Sequence, residues 1–224
     1  MAQPKAVLFD IDETLVHTGG AGARSWAWAF DQLHGVPADI GAHTSAGETD
    51  PQVGRETFRA VLHRNPSHDE LARLYAKYLW HLAEDIWTAP GYRVLDGAED
   101  LLRRLGDAGV LIGVISGAME GAAHLKMQPG KLNRYFIFGS YGSDSSDRAE
   151  LTRLGIAKAA RLHGHDLGKD DVYVVGDTPR DIEGAHAADA TAVGVASGHY
   201  NADQLQAAKA DHVLGSLTEP FPGL

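Results

Sequence analysis

Asp10 and Asp12 stand two residues apart in "VLFDIDETL", with Thr14 close behind. Ser116 and Gly117 end "VLIGVISG", Arg148 lies in "SSDRAEL", and "VVGDTPRD" carries Asp177 and Asp181. Carboxylates gathered at one place repel each other unless a cation relieves them. Magnesium is hard, prefers oxygen ligands and keeps room for water and a phosphate oxygen. Asp10, Asp12, Asp177 and Asp181 are its candidate ligands, Asp12 through a nearby backbone carbonyl, while Asp181 would bind through water or hold the site in place. Phosphoryl transfer then needs an in-line nucleophile, neutralised charge and a proton donor. Asp10 could attack phosphorus to give an aspartyl-phosphate. Asp12 could protonate the leaving oxygen and afterwards activate water. Arg148 would shield the anionic nucleophile from an anionic substrate. Ser116 would bond a phosphoryl oxygen, beside N–H donors of a helix N-terminus. Thr14, Ser116, Gly117 and Arg148 are the residues expected to touch substrate.

Each residue also has a plainer reading. Ser116 could be a helix N-cap. Asp181 could complete a capping arrangement with Thr178. Arg148 could be a solvated residue in the first turn of a helix, and Asp10 to Thr14 could be a simple turn. Their combination at strand ends is what singles them out.

The elements that must position them are short apolar runs, at 5–9, 110–115, 136–138, 172–175 and 192–195, read as buried parallel strands. Amphipathic stretches lie between most of them. "GAEDLLRRLGDAG" and "RAELTRLGIAKAARLHG" both stop at glycine, and "TPRDIEGAHAAD" opens on a Thr N-cap followed by proline. Strands alternating with helices predict an α/β fold with a doubly wound parallel sheet. Ligands in such sheets bind beyond the carboxyl ends of the strands, where the acids stand.

Residues 18–90 break the alternation and read as helices, at 23–35, 52–64 and 68–86. They predict a small all-α subdomain inserted after the first strand, between core segments 1–17 and 91–224. The tryptophans at 26, 28, 80 and 87 are expected to pack the insert's own core. "HTGGAG" reads as a hinge, and Ser45 to Gln52 as the segment that meets the substrate. His163-Gly164-His165 reads as a loop at a helix end rather than a metal pair.

The 224 residues carry a net charge of −10, which argues against nucleic acid as a partner. With no cysteine, disulfides, zinc-thiolate sites and thiol catalysis are excluded. No signal-peptide pattern opens the sequence and no apolar run reaches membrane length, so a cytoplasmic protein is expected.

"DIDET" resembles the DxDxT nucleophile motif of the haloacid dehalogenase (HAD) superfamily. "VISG" resembles its second motif, and "VVGDTPRD" its acidic fourth motif. Order and spacing fit across nearly the whole chain, and the insert stands where the phosphoglycolate-phosphatase-like group carries a helical cap. The resemblance implies a Rossmann-like core with strand order 5-4-1-2-3 and a mobile cap. It also implies Asp10 as nucleophile, Asp12 as acid/base, and Asp10, Asp12 and Asp177 around magnesium. The sequence departs from the family pattern at two places. The family's third motif is usually a lysine followed by proline, and no Lys-Pro occurs after the third strand here; Arg148 fills the place, with Lys126 and Lys131 as alternatives. Glu13 occupies a position where many relatives have glycine.

The expected function is a magnesium-dependent phosphatase acting on a small phosphomonoester. A phosphosugar mutase and a catalytically silent binding protein on the same scaffold are the alternatives. Dehalogenation ranks last, because the Asp12 acid suits an alkoxide leaving group. Phosphoglycolate, a sugar phosphate, a nucleotide and pyrophosphate all stay open as substrates, and oligomeric state is not legible.

Overall fold

The computed structural model describes residues 3–36, 38–39, 42–43 and 47–224. Six parallel strands form its centre: β1 (Ala6–Phe9), β4 (Leu111–Ser116), β5 (Phe138–Tyr141), β6 (Val172–Gly176), β7 (Thr191–Val195) and β8 (His212–Leu214). Their spatial order is β5-β4-β1-β6-β7-β8. Counting the five anticipated strands in chain order, this reads 5-4-1-2-3 from the β7 side, as expected. β8 is an additional strand at that edge.

Every residue of β1 is buried. Side chains alternate across a strand, so a sheet covered on both faces needs an unbroken apolar run. Val7 and Phe9 face one apolar cluster with Ile112, Val114, Tyr173 and Val175. Ala6 and Leu8 face the other with Ile115, Val172 and Val174. Helix α6 (Arg148–His163) and helix α7 (Pro179–Ala187) supply Leu151, Ala159, Ile182 and Ala185 to the second cluster.

β5 begins two residues later than the apolar run 136–138 suggested. Backbone pairing of Gly113 with Phe138 and of Ser116 with Tyr141 sets its limits. Phe136 and Ile137 precede it, and Ile137 is exposed. Apolar character marked the approach to the strand, while the ladder takes in the less apolar Gly139 and Ser140.

Between β1 and β4 the chain leaves the sheet through β2 (Val16–His17) and returns through β3 (Arg93–Val94). These two pair antiparallel, Val16 with Val94 and His17 with Arg93. The intervening helices are α1 (Ala21–His34), α2 (Asp50–Leu62) and α3 (His68–Asp85), close to the anticipated segments. Trp26 stacks on Tyr78 with ring centroids 4.4 Å apart. Phe30, Phe58 and Leu74 belong with them to the same cluster as Val7 and Phe9, so the helices share one core with that face of the sheet. The tryptophan expectation holds only in part. Trp80 and Trp87 are 54 % and 56 % exposed, and Trp80 lies tilted against the partly buried Trp28. Both exposed rings sit late on α3 or beyond it, away from the shared core.

Helix α4 (Ala98–Asp107) and helix α5 (Glu120–Met127) flank β4 in sequence, and α8 (Ala202–Ala207) precedes β8. No helix of the described residues is long and apolar enough to cross a membrane.

Candidate active site

The carboxyl ends of β1, β4 and β6 deliver the site. Asp10 follows β1 directly, and its N–H still donates to Val175 O at 2.9 Å, so the ladder fixes its backbone. Asp177 follows β6 in the same way, and Ser116 is the last residue of β4. After Asp10 the chain turns sharply, with Leu15 N–H donating to Ile11 O and Glu13 N–H to Val16 O, each at 2.9 Å. Glu13 takes φ 56°, a left-handed conformation that costs an L-residue roughly 1–2 kcal/mol. A glycine would occupy that turn without strain. Glu13 is held there by Ser197, whose Oγ donates to its carbonyl at 2.5 Å, and its own carboxylate meets His17 Nδ1 at 2.7 Å.

Asp10, Asp177 and Asp181 each offer a carboxylate oxygen within 4.8 Å of the others. Arg148, the first residue of α6, inserts its guanidinium among them. Its Nη2 donates to Asp10 Oδ1 at 2.9 Å and also to Asp181 Oδ1. Asp181 is engaged on its other oxygen too, which accepts from Thr178 N–H at 3.1 Å and Thr178 Oγ at 2.7 Å. Asp181 therefore both completes the cap of α7 and anchors Arg148. Arg148 Nε and Nη1 are buried and have no partner among the described residues. Buried donors left unpaired are costly, and an anionic oxygen would satisfy them.

One guanidinium does not neutralise this group of acids. Burial pushes Asp10 up to about 7, against the pull of Arg148 and with a further push from the Asp181 and Asp12 charges. Burial, then the Asp10 and Asp181 charges, push Asp177 up to about 9. Thr14 Oγ donates to Asp177 at a long 3.5 Å. A Cβ on Gly198 would stand 1.9 Å from Asp177 Oδ2, so only glycine lets that loop close over the carboxylate. An all-oxygen donor set with surplus negative charge fits a hard divalent cation.

The opposite wall comes from the helical insert. Asp50 N–H donates to Gly117 O at 2.8 Å, and Asp50 Oδ2 accepts from Met119 N–H at 2.7 Å. A Cβ on Gly117 would meet Glu48 O at 2.5 Å, so a glycine there admits the insert's backbone. Burial pushes Asp50 up to about 6, opposed by Lys126 and by the Met119 N–H. From α5, Lys126 reaches Asp12, Nζ to Oδ2, at 2.6 Å and is 7 % exposed. Burial works to lower its pKa, but Asp12, Tyr78 and Asp50 outweigh that and raise it, so the ammonium stays charged.

These walls enclose a cavity of about 240 Å³. Asp10, Asp12, Ser116, Gly117, Arg148 and Asp177 line it. Thr14 is fully buried behind it and touches Asp177, and Asp181 stands behind Arg148. Ser116 is not a helix cap: α5 begins at Glu120, and Ser116 Oγ accepts from Ala118 N–H at 3.2 Å. The N-terminus of α5 is not the open phosphate cradle anticipated, because Asp50 accepts from its Met119 N–H. Lys131 is exposed and does not line the cavity. Of the anticipated contact segment, Ser45 and Ala46 lie outside the described residues, while Gly47, Glu48 and Asp50 line the cavity. The sequence reading missed Asp50, Thr178 and His199 as individual cavity residues, and Lys126 as the partner of Asp12. Thr178 and His199 had an available signal, since each follows the end of a strand, β6 and β7.

Residues 4–189 match the model of the haloacid dehalogenase-like hydrolases. The chain is 32 % identical over 208 residues to the phosphoglycolate phosphatase of Rhodospirillum rubrum, covering 88 % of this chain and 81 % of that protein. It is 24 % identical over 217 residues to the pyrophosphatase PpaX of Listeria monocytogenes, covering 95 % and 93 %. The crystal structure of a predicted phosphoglycolate phosphatase from Haemophilus somnus superposes with a TM-score of 0.75 at 19 % identity, over 97 % of this chain and 96 % of that one.

Proposed function

The chain belongs to the haloacid dehalogenase-like hydrolases, and we propose that it is a magnesium-dependent phosphatase that cleaves a small phosphomonoester through an aspartyl-phosphate on Asp10. The observation that carries this is the Arg148 guanidinium, which grips Asp10 and Asp181 while two of its buried donors stay unpartnered. A phosphoryl group beside Asp10 would take those donors and balance the charge. Asp10 attacks phosphorus as the bond to the leaving oxygen breaks, and Asp12 gives that oxygen its proton. Asp12 then takes a proton from water, which attacks phosphorus and frees Asp10. Ser116 donates to a phosphoryl oxygen, and Lys126 holds the Asp12 carboxylate in place. Thr14 orients Asp177, and Asp181 holds Arg148.

Asp10, Asp177 and the Asp12 carbonyl would hold the magnesium, which would supply charge neutralisation to the transferring oxygens. Residues 18–90 are the cap in this reading, with Gly47 to Asp50 closing the site against water. A small phosphorylated metabolite is the substrate, and a cytoplasmic location goes with it.

The test is phosphate release from a panel of small esters, with and without magnesium, beside Asp10→Asn. Turnover that needs the metal and vanishes in the variant is expected. No turnover with any ester, isomerised product in place of free phosphate, or full activity in Asp10→Asn would sink the proposal.

A further inference from the structure

In-line displacement sets the departing oxygen opposite Asp10 and within reach of Asp12. Lys126 and Asp50 stand beside Asp12, and Glu48, two residues before Asp50 on the insert, lines the cavity with them. Six carboxylates line the whole cavity against two fixed cations, Lys126 and Arg148. Both cations are already committed. Arg148 serves Asp10 and Asp181, and Lys126 lies against Asp12 while facing the Asp50 charge. His199 stands exposed at the rim. Arg180 lies just outside and is spent on Glu48, Nη2 to Oε1 at 3.4 Å. The residues between Val36 and Gly47 that are not described carry no basic side chain. The other Glu48 oxygen, Oε2, is buried and has no partner among the described residues, an acceptor in want of a donor.

We infer that this wall selects a leaving group without negative charge that carries hydrogen-bond donors, a polyol or an amino alcohol, and rejects esters with a second anionic group. The inference rests on the phosphatase reading above and narrows its substrate class. The transferring phosphoryl finds Arg148 donors to pair with, whereas a carboxylate or second phosphate on the leaving group would face Glu48 and Asp50 with no cation left over. Like charges so placed act as an element of rejection. A hydroxyl or ammonium would instead donate to Glu48.

The test compares kcat/KM for glycerol 3-phosphate and phosphoethanolamine with that for phosphoglycolate and pyrophosphate, at saturating magnesium. The donor-bearing neutral or cationic leaving groups are expected to lead by about tenfold or more. Glu48→Gln removes one charge and releases Arg180, and Asp50→Asn removes another while keeping an acceptor for Met119. Each is expected to narrow the lead by roughly threefold or more, chiefly by raising kcat/KM for the anionic esters. A lead for phosphoglycolate or pyrophosphate in the parent overturns the inference while leaving the phosphatase reading intact. So does a preference that neither variant shifts. Failure of all the esters defeats the phosphatase reading and the inference with it. A larger lead for phosphoethanolamine identifies an amino alcohol, and one for glycerol phosphate a polyol.

Discussion

Lys126 and Asp12 meet at 2.6 Å, Nζ to Oδ2, although 114 residues separate them. The lysine comes from α5 and the aspartate from the turn after β1, so the contact ties two elements at the mouth of the site. A carboxylate that must give and then take a proton gains from a fixed orientation. Lys126→Met should therefore lower kcat by about 10- to 10²-fold, within what a positioned acid/base contributes. Steady-state phosphate release checks this. A change confined to KM would assign Lys126 to substrate binding instead.

Arg148→Ala should cut turnover by about 10²-fold or more, the scale of losing a charged group that stabilises the transition state. Arg148→Lys should recover only part, because an ammonium that takes the place of Nη2 between Asp10 and Asp181 lacks the further Nε and Nη1 donors left for a phosphoryl group. The Ala variant should also melt earlier, since it leaves Asp10 and Asp181 buried without their partner. Near-normal turnover in Arg148→Ala would move the role to Lys126.

Asp50 gives the stability a pH dependence of known sign. Its folded value, pushed up to about 6 by burial, exceeds the ordinary aspartate value of 3.8. The folded state thus holds a proton that the unfolded state releases sooner. Its stabilising effect is present below about 3.8 and is lost as the pH rises through about 6. Asp50→Asn cannot lose that proton, so its melting temperature relative to the parent should climb between pH 4 and pH 7. Thermal melts of both proteins across that range measure the difference. A flat difference would show that Asp50 contributes nothing to the pH dependence.

Glu13→Gly should leave the melting temperature unchanged or raise it by up to about 3 °C, the scale of 1 kcal/mol in a chain of this size. The variant relieves the left-handed φ of 56° and loses only a half-buried pair with His17. A fall of more than about 3 °C in differential scanning calorimetry would mean that the Glu13 side chain holds the turn.

Which parts of this molecule can be read from sequence follows from where the defining interaction lies. β1, β4, β6 and β7 are legible because burial on both faces demands contiguous apolar residues. The strand-end acids are legible because they interrupt such runs abruptly. β5 and β8 are harder, since Phe138–Tyr141 contains glycine and serine and His212–Leu214 is only three residues long. In the contacts they make, Asp50 and Lys126 escape for a different reason. Each is defined by partners far along the chain, Met119 and Asp12, and nothing local distinguishes them from other charged residues on helices. The same limit applies to Trp80, whose exposure depends on which side of α3 meets the core, and to Trp87, in the turn just past that helix.

The β2–β3 ribbon pairs Val16 with Val94 and His17 with Arg93, so the whole excursion from Thr18 to Tyr92 begins and finishes at one spot. In terms of inheritance, that makes the helical stretch a cassette. A gene could trade it for another of different length or shape and keep the register of the six parallel strands, provided that the newcomer still covers the face of the sheet that Val7 and Phe9 present.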